Sequence, residues 1–565
     1  MLPLLLSLLA CGDPRPPPAP DTRVDADVHP GLAAHAKLFE REVLRPADGV
    51  YVAVGFALAN VIAIEGADGL VIVDTTEGRE AATDALAALR EHTDLPVAGV
   101  VLTHNHADHV FGGRVFTEGR DVPVLAHADT EAGIDRIVNV LRDAIQVRST
   151  RMFGSLLDDP PAGGIGLHLR FDPSQIALAR PTETFTDRLE RTIAGVHLEL
   201  VHAPGETDDQ LFVWLPERRV LLPADNVYQS FPNLYTIRGT PYRDVRRWVD
   251  SIDAMRDLQA EVLVPSHTRP VVGADAVEDV LVAYRDAIQF VHDQTIRGLN
   301  QGRTPDDIAA TLQLPPHLAE HPWLQEHYGH VPYAVRSIAA GNLGWFDGRG
   351  STLEPLPPRQ RAQRFAEAFA SQQTLPEAAE AALAADDWRW AAELAQLWLD
   401  GSPDDAGARA ALATALEGLS RGHPNAPTVN WYLTEARELR GEVVNAPTPP
   451  DAPPQDFIDS LPLAAFLTAL PTRLHAEETL DVTRSLHLQF TDVGEDWTMT
   501  VRRGVCEVRP RAPTSPADLK VVTTATTWRR LLAGKIGRVA PFADGRGVVE
   551  EGTVASLAQM LAWFR

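Results

Sequence analysis

Residues 98–109 read AGVVLTHNHADH, a buried-strand pattern that runs directly into three histidines and one aspartate. These side chains are His104, His106, Asp108 and His109. Burying so many polar groups without partners costs about 1 to 3 kcal/mol for each group. A metal ion satisfies them together, and the spacing lets His104 and His106 face one metal while Asp108 and His109 face a second. The stretch therefore predicts a binuclear metal site at a strand end.

Further candidate ligands close apolar runs downstream. They are Glu206 in HAPGETDDQ, Asp225 in LLPADN and His267 in LVPSHTRP. Imidazole and carboxylate ligands suit Zn²⁺ at about 2.0 to 2.2 Å, and without thiolates Mn²⁺ and Fe²⁺ are conceivable substitutes. The two cysteines, Cys11 and Cys506, are too few for a disulfide framework or a cysteine-based zinc site.

The first part of the chain alternates between strand and helix patterns. Short apolar runs such as GVYVAVGF, NVIAIEG and GLVIVDT precede the amphipathic EGREAATDALAALREHT, and the rhythm returns at VHLELVH, LFVWLP, RRVLLPAD and AEVLVPSH. Strands interleaved with helices predict an α/β layered domain, here over residues 36–300. Catalytic residues in such sheets tend to lie where strands end.

The remaining chain predicts further domains. Long helical patterns replace the strands from about residue 275, a TPDD capping box opens another helix, and a helical domain is expected over 301–444. The Pro-rich NAPTPPDAPPQ at 445–455 predicts a linker. Residues 456–565 predict a small α+β domain, with a helix near FIDSLPLAAFLTALPTRL and no catalytic signature.

The N-terminus resembles a bacterial lipoprotein signal. Residues 1–11, MLPLLLSLLAC, form an apolar run too short to span a bilayer, and a Pro-rich spacer follows at 12–35. This predicts lipidation of Cys11 and a membrane-anchored protein on the periplasmic side, or a secreted or periplasmic one if the anchor is absent. The alternatives are a wrongly assigned start codon or a buried N-terminal segment.

Length and charge limit the function further. At 565 residues the chain exceeds what one core usually supports, and its 51 Lys plus Arg against 77 Asp plus Glu give a net charge of −26. So acidic a surface argues against nucleic acid as a partner. An anionic substrate would have to be attracted by a local cluster of metal and arginine.

The THNHADH motif, the Asp at a later strand end and the final SH resemble the metallo-β-lactamase superfamily. Most members have a His after Pro-Gly, and Glu206 at that position resembles the alkyl sulfatase branch. FPNLYTIRGTPYRDV, VHDQTIRGLNQG, LGWFDG and WYLTEARELRG also match that branch, so the resemblance extends from about residue 50 to the C-terminus.

The resemblance implies an αββα sandwich, then an all-α dimerisation domain and a C-terminal sterol-carrier-like α+β domain with an apolar cavity that could hold or deliver amphiphilic chains. It implies a homodimer that hydrolyses alkyl sulfate esters to alcohol and inorganic sulfate with two Zn²⁺ per chain. His104, His106 and Glu206 would hold the first metal, Asp108, His109 and His267 the second, and Asp225 both. The branch commonly has Glu where this chain has Asp225.

The resemblance also assigns residues to the substrate. Asn233 and Arg238 would bind the sulfate group, and Arg243 fits an anion-binding role or an ordinary salt bridge with Asp244 or another neighbour. Asp225 would orient the attacking water and is counted as catalytic with Asp108, Asn233 and Arg238. An apolar channel is expected for the alkyl chain, because each buried methylene contributes about 0.8 kcal/mol.

Three other functions are open to the sequence. The first is another hydrolase of the superfamily, acting on a lactone, thioester, β-lactam or phosphodiester; Glu206 and the added domains argue against it. The second is a di-iron redox protein, whose motif resembles H-x-E-x-D, but His106 occupies the Glu position. The third is a non-catalytic lipid-binding lipoprotein, for which seven candidate metal ligands have no purpose.

Overall fold

The computed structural model describes residues 28–117, 119–160, 163–169, 172–449 and 451–564. The predicted signal with Cys11, and the spacer up to residue 27, lie outside the described residues. The end of the predicted spacer forms a helix, α1 (Pro30–Ala36), which begins with proline because the first helical N–H needs no partner. Among the described helices, none combines the length and apolarity needed to cross a membrane.

Two mixed sheets form the centre of the α/β domain predicted over residues 36–300, which is called the catalytic domain because the expected catalytic residues belong to it. The first contains β1 (Glu42–Ala47), β2 (Val50–Val54), β3 (Val61–Glu65), β4 (Leu70–Val73), β5 (Val97–Val101), β6 (Val124–His127) and β7 (Glu183–Phe185). They lie in chain order, antiparallel from β1 to β4 and parallel from β4 to β7. The parallel half places the ends of four strands, β4 to β7, at one edge of the sheet.

The second sheet packs face to face on the first. Its strands are β8 (Arg188–Ile193), β9 (Val196–His202), β10 (Leu211–Leu215), β11 (Val220–Leu222), β12 (Val262–Leu263) and β13 (Val271–Val272). Their order is β13-β12-β11-β10-β9-β8, with β11 and β12 parallel and the other neighbours antiparallel. Alternate residues such as Val52 and Ile64 meet Leu200 and Val213 between the sheets, because side chains two apart share a face.

Helices cover both outer faces. The catalytic domain contains α2 (Arg79–Arg90), α3 (Ala107–Val110), α4 (Gly113–Thr117), α5 (Thr130–Asp135), α6 (Arg142–Phe153), α7 (Val245–Asp257) and α8 (Ala274–Asn300), with a π-helical turn at Arg136–Val140. Ala82, Ala85 and Leu89 of α2 pack on the first sheet. Trp248 of α7 and Tyr284 of α8 pack on the second. The predicted αββα sandwich is therefore confirmed.

The helical region divides into two parts. It contains α9 (Pro305–Ala309), α10 (Pro316–Ala319), α11 (Val331–Leu343), α12 (Pro358–Phe369), α13 (Leu375–Ala384), α14 (Trp388–Gly401), α15 (Ala406–Ser420) and α16 (Ala426–Arg440). Thr304 and Asp307 form the capping box of α9 that TPDD predicts. Ile308, Leu318 and Ile338 join the core of α7 and α8, whereas α13 to α16 build separate Ala- and Leu-rich cores. The first three helices thus extend the catalytic core.

The Pro-rich segment 445–455 lies against α6. Asn445 donates a hydrogen bond to the Val147 carbonyl at 3.0 Å, and Gln146 accepts from the backbone and the hydroxyl of Thr448, each at 3.0 Å. Arg142 donates to the carbonyl of Pro449 at 2.9 Å. Since a proline-rich segment does not form the regular backbone hydrogen bonds of a helix or sheet, its polar groups bond to the neighbouring helix instead. The linker therefore has a defined course.

The C-terminal domain combines one sheet with short helices. Its elements are α17 (Gln455–Ser460), α18 (Leu463–Ala469), β14 (Thr483–Phe490), β15 (Glu495–Arg502), β16 (Val505–Arg509), β17 (Leu519–Thr523), α19 (Ala525–Leu532), α20 (Ala540–Ala543), β18 (Gly547–Glu551) and α21 (Val554–Ala562). The sheet order is β16-β15-β14-β17-β18. The single helix expected near residue 457 is wrong: Pro462 separates α17 from α18, because a residue before proline avoids helical geometry.

The C-terminal domain docks on the catalytic domain through α17 and α18. Phe457, Ile458, Leu461 and Phe466 are buried in the same core as the outer face of the first sheet. The rings of Phe111 and Phe457 meet edge to face with centroids 6.1 Å apart. The domain is thus part of the wall around the catalytic region.

Candidate metal centre and substrate cavity

The candidate ligands lie at one edge of the sandwich. His104 to His109 follow β5, Asp225 follows β11, and His267 follows β12. Backbone hydrogen bonds connect the loops of the two sheets at this edge. The N–H of Leu211 donates to the Thr103 carbonyl at 3.0 Å. The N–H of Asn60 donates to the Ser266 carbonyl at 2.7 Å. Residues far apart in the chain therefore meet where the strands end.

Six of the seven predicted ligands form two compact groups. One group is His104, His106 and Asp225, the other Asp108, His109 and His267, and in each group the ligand atoms lie within 4.8 Å of one another. The Oδ2 atom of Asp225 is 3.5 Å from Nε2 of His104, 3.3 Å from Nε2 of His109 and 3.2 Å from Nε2 of His267. Asp225 therefore contacts both groups, as a bridging ligand must.

Glu206 lies beside these groups and is paired with a cation. Its Oε1 is 2.9 Å from Nη1 of Arg243, and both side chains are buried. Burial raises the pKa of Glu206 to about 7, although the Arg243 guanidinium opposes this rise. Of the salt-bridge partners expected for Arg243, Asp244 instead caps the N-terminus of α7, and the neighbour that pairs with Arg243 is Glu206. Arg243 is engaged by Glu206 and by the carbonyl of Asn233.

Three histidines are oriented by hydrogen bonds through Nδ1. His104 donates to the Thr103 hydroxyl at 3.0 Å, His109 to Asp74 at 2.8 Å, and His267 to the Leu58 carbonyl at 2.9 Å. Each bond leaves the Nε2 lone pair directed into the cluster, which is how metal-binding imidazoles are usually held.

The protonation states suit a cation. Burial keeps the pKa of His104 and of His106 well below the ordinary value, so both rings are neutral and able to ligate. Burial acts the same way on His109, but Asp225 and Asp108 outweigh it and raise the pKa of that ring. A divalent cation would supply the positive charge that these carboxylates otherwise draw as a proton.

Buried polar atoms at the centre lack partners. Within the described chain, Nε2 of His109, Nε2 of His267, Oδ1 of Asp225 and Oε2 of Glu206 make no hydrogen bond. Leaving such atoms unsatisfied costs about 1 to 3 kcal/mol each. Imidazole nitrogens with carboxylate oxygens form a donor set that fits zinc. The residues present therefore fit a binuclear metal centre.

Asp74 holds the metal-ligand cluster in place through hydrogen bonds, and the sequence patterns alone did not identify it. Its carboxylate accepts hydrogen bonds from the backbone and the hydroxyl of Thr103, each at 3.0 Å, from the Ser266 hydroxyl at 2.7 Å and from His109 at 2.8 Å. It follows β4 in a left-handed conformation with φ of 61°. The available signal was its position at the end of GLVIVDT, which matches that of Asp225 after β11.

A cavity of about 180 Å³ opens beside the cluster. Polar residues form one part of its wall: His106, Asp108, Glu206, Asp225 and Arg238. Apolar residues from both domains form another: Phe111, Ile145, Phe153, Ile176, Phe457, Ile458, Leu461 and Phe466. This distribution of wall residues matches an amphiphilic molecule whose polar head lies beside the metal ligands and whose apolar tail lies between the domains.

The predicted sulfate-binding residues occupy different places. Arg238 lines the cavity, and no described residue accepts a hydrogen bond from its guanidinium. Asn233 is buried, does not line the cavity, and has a side-chain nitrogen without a described partner. Its backbone N–H donates to the Tyr228 hydroxyl at 2.9 Å. Of the two predicted sulfate-binding residues, Arg238 is therefore the one that faces the cavity.

Strand-end histidines and carboxylates on an αββα sandwich define a metallohydrolase-type scaffold, and residues 54–267 match the model of the metallo-beta-lactamase superfamily. Residues 304–442 match alkyl sulfatase dimerisation, and residues 452–565 match the alkyl sulfatase C-terminal model. The chain is 37% identical over 465 residues to a linear primary-alkylsulfatase of Pseudomonas sp., covering 79% of this chain and 88% of that one. The chain therefore belongs to the alkyl sulfatase family.

Two further relatives agree with this assignment. An (R)-specific secondary-alkylsulfatase of Pseudomonas sp. is 30% identical over 518 residues, which cover 88% of this chain and 76% of the relative. The structure of the stereoselective inverting sec-alkylsulfatase Pisa1 from Pseudomonas sp. superposes with a TM-score of 0.85 at 27% identity, covering 95% of this chain and 87% of that one. Both relatives thus align with this chain over most of its length.

We predict that Asp74→Asn lowers zinc affinity about 10- to 100-fold, because outer-shell partners of metal-binding histidines have effects of this size. Asn tolerates the left-handed backbone, so the change removes the charge and one acceptor oxygen without adding backbone strain. Competition with a chromophoric chelator measures the affinity. Asp94→Asn, at an exposed position, is the matched control, and equal affinities in the two variants would contradict the supporting role of Asp74.

Proposed function

We propose that this protein hydrolyses sulfate esters of alkyl chains to alcohol and inorganic sulfate in a zinc-dependent reaction. The observation that carries the proposal is the cavity that joins the metal-ligand cluster and Arg238 to apolar walls. Relatives named as primary and secondary alkylsulfatases support the same substrate class. An anionic head and an apolar tail are the two features that such a cavity selects.

Two zinc ions per chain are proposed. The first would be held by His104, His106 and Glu206, the second by Asp108, His109 and His267, and Asp225 would contact both. Bound zinc supplies the Lewis acidity that lowers the pKa of water toward neutrality. The Oε1 atom of Glu206 forms the salt bridge with Arg243, and its Oε2 atom has no partner among the described residues. Arg243 therefore acts as a positioning residue for Glu206.

The remaining catalytic functions belong to side chains of this chain. Arg238 faces the cavity and would match the negative charge of the sulfate group, since preorganised cations stabilise charge redistributed in the transition state. Asn233 does not line the cavity, so its role in sulfate binding is proposed on its unpartnered amide nitrogen alone. Asp225 would orient the attacking water, and Asp108 would hold its metal nearby. The apolar wall gains about 0.8 kcal/mol for each methylene it buries.

The first test is sulfate release from dodecyl sulfate beside a β-lactam, a thioester and a phosphodiester. We expect activity on the alkyl sulfate, loss of that activity on chelation, and recovery with zinc. Asp225→Ala and His106→Ala are expected to lower kcat/KM at least about 100-fold, because each removes a ligand and its charge.

Asp94→Asn serves as the control for these variants, since Asp94 is exposed and precedes β5, at the opposite end of that strand from the ligands. Metal analysis should give about two zinc ions per chain. Cleavage of dodecyl sulfate by metal-free protein, or full activity of Asp225→Ala, would contradict the proposal. Preferential cleavage of a thioester or phosphodiester would assign the site to another hydrolase class.

We also propose a homodimer formed through the helical region. The connection between α11 and α12 exposes four large apolar side chains by more than half, Leu343 (65%), Trp345 (75%), Leu353 (52%) and Leu356 (51%). This connection lies within the stretch that matches alkyl sulfatase dimerisation. Stable interfaces bury about 800 Å² on each partner, so an apolar segment of this kind is a suitable core for one.

Light scattering tests the dimer. The protein should have about twice the chain mass of 61.6 kDa, and the double variant Leu343→Asp with Trp345→Asp should elute as a monomer. Leu480→Asp is the control, because Leu480 is 60% exposed in the C-terminal domain. A monomeric parent protein, or a double variant that remains dimeric, would overturn this interface.

Finally, we propose that the protein is lipidated at Cys11 and anchored on the periplasmic side. The support is the sequence MLPLLLSLLAC and the polar, Pro-rich stretch after it. Labelled palmitate should be incorporated during bacterial expression and lost in Cys11→Ser. Cys506→Ala, which removes the other cysteine, should retain the label. Absence of label from the parent protein would exclude lipidation.

A further inference from the structure

The apolar cavity also carries hydrogen-bond donors that the hydrolysis of a simple alkyl sulfate does not use. Asn139, Arg142 and Arg473 line the same cavity as Phe457 and the metal ligands. Two of the three come from the catalytic domain and Arg473 from the C-terminal domain. A saturated hydrocarbon chain offers no acceptor to any of these groups.

Asn139 is a buried donor without a partner. Its side chain is 7% exposed, and within the described chain its Nδ2 donates no hydrogen bond. It lies on the π-helical turn at Arg136–Val140. Such turns are uncommon and often occur at functional sites. The unsatisfied amide therefore calls for an acceptor from a bound molecule.

The two arginines place positive charge at the same cavity. Arg473 is half-buried, and none of the described residues forms an ion pair or hydrogen bond with its guanidinium. Arg142 donates to the Thr448 and Pro449 carbonyls of the linker and lies 3.5 Å from the mostly exposed carboxylate of Asp143. Burial lowers the pKa of Arg142; the Asp143 carboxylate opposes this, and the charge of Arg473 lowers it further. An anion between the two guanidinium groups would relieve this repulsion.

Helix α6 sets the distance of these donors from the metal centre. Ile145, Ser149 and Phe153 all line the cavity, so the helix runs along it. Phe153 packs in one cluster with Leu58, whose carbonyl binds His267, and Arg142 is at the other end of the helix. The ends of α6 are about 16 Å apart at 1.5 Å per residue. With carbon–carbon bonds of about 1.5 Å, an extended chain of roughly a dozen carbons covers that length.

We propose that Asn139, Arg142 and Arg473 form a second anion subsite, which binds a carboxylate at the far end of the substrate chain. The substrate class is then a bifunctional amphiphile with a sulfate ester at one end and a carboxylate at the other. The inference rests on the proposed function. Hydrolysis consumes one water, breaks the ester link, and yields an ω-hydroxy acid and hydrogen sulfate.

Binding to the full-length zinc protein tests the subsite without turnover. Calorimetry compares ω-hydroxydodecanoate, the expected product, with α,ω-dodecanediol, which lacks the carboxylate. The acid should bind about tenfold more tightly, as one charge-assisted hydrogen bond allows. Arg473→Gln should abolish that difference and leave diol binding unchanged, whereas Arg473→Lys should retain part of it.

Arg511→Gln is the control, because Arg511 is exposed in the same domain. Equal binding of acid and diol, or an acid preference that Arg473→Gln leaves intact while Arg238→Gln removes it, would overturn the subsite. The second outcome would place the carboxylate at the metal centre. If Arg473→Gln lowers the Tm, the comparison of acid and diol is made with Arg473→Lys, whose acid preference should be smaller than that of the parent protein.

Kinetics separate this inference from the proposed function. The ω-carboxyundecyl sulfate should have a kcat/KM about tenfold above that of dodecyl sulfate, and Arg473→Gln should remove this advantage alone. If dodecyl sulfate is cleaved but the carboxylate gives no advantage in rate or binding, the subsite is wrong and the sulfatase function stands. If neither ester is cleaved but acid binding depends on Arg473, the subsite stands and the sulfatase function is wrong.

Discussion

The buried Asp74 carboxylate is the constraint on which the centre depends. It receives hydrogen bonds from Thr103 after β5, from Ser266 after β12 and from the His109 ring, and so ties three strand ends of two sheets together. A carboxylate so deeply buried is tolerated because both of its oxygens accept hydrogen bonds. The alignment of His109 and His267 toward Asp225 follows from this fixed edge.

The cavity depends on how the domains are joined. The linker after α16 is hydrogen-bonded along α6, and this course delivers α17 and α18 to the outer face of the first sheet. Phe457 and Leu461 then become wall residues of a cavity whose other wall is the catalytic domain. The sterol-carrier-like interior expected from the family resemblance remains a prediction, whereas the cavity between the domains arises from docking.

Local patterns explain what the sequence predicted. THNHADH places four candidate ligands within six residues, and alternating apolar runs predict the sandwich without knowledge of its partners. Asp74 binds Ser266, which is 192 residues away, and the wall residue Phe457 packs on Phe111 of another domain. The periodicity of a single strand or helix does not encode such contacts. The break at Pro462 was readable locally, since proline disfavours helical geometry in the residue before it. The apolar run around it hid that signal.

The Glu206–Arg243 ion pair shows how a carboxylate can occupy a position where most of the superfamily has a neutral histidine. A buried histidine needs no counter-charge, but a buried carboxylate pays a desolvation cost that an adjacent cation must offset. Arg243 meets this need through Oε1 and leaves Oε2 free within the described chain. Because Arg243 also binds the carbonyl of Asn233, the same guanidinium fixes the segment that leads to Arg238. The replacement of histidine by glutamate therefore couples the first metal position to Arg238 in the wall of the substrate cavity.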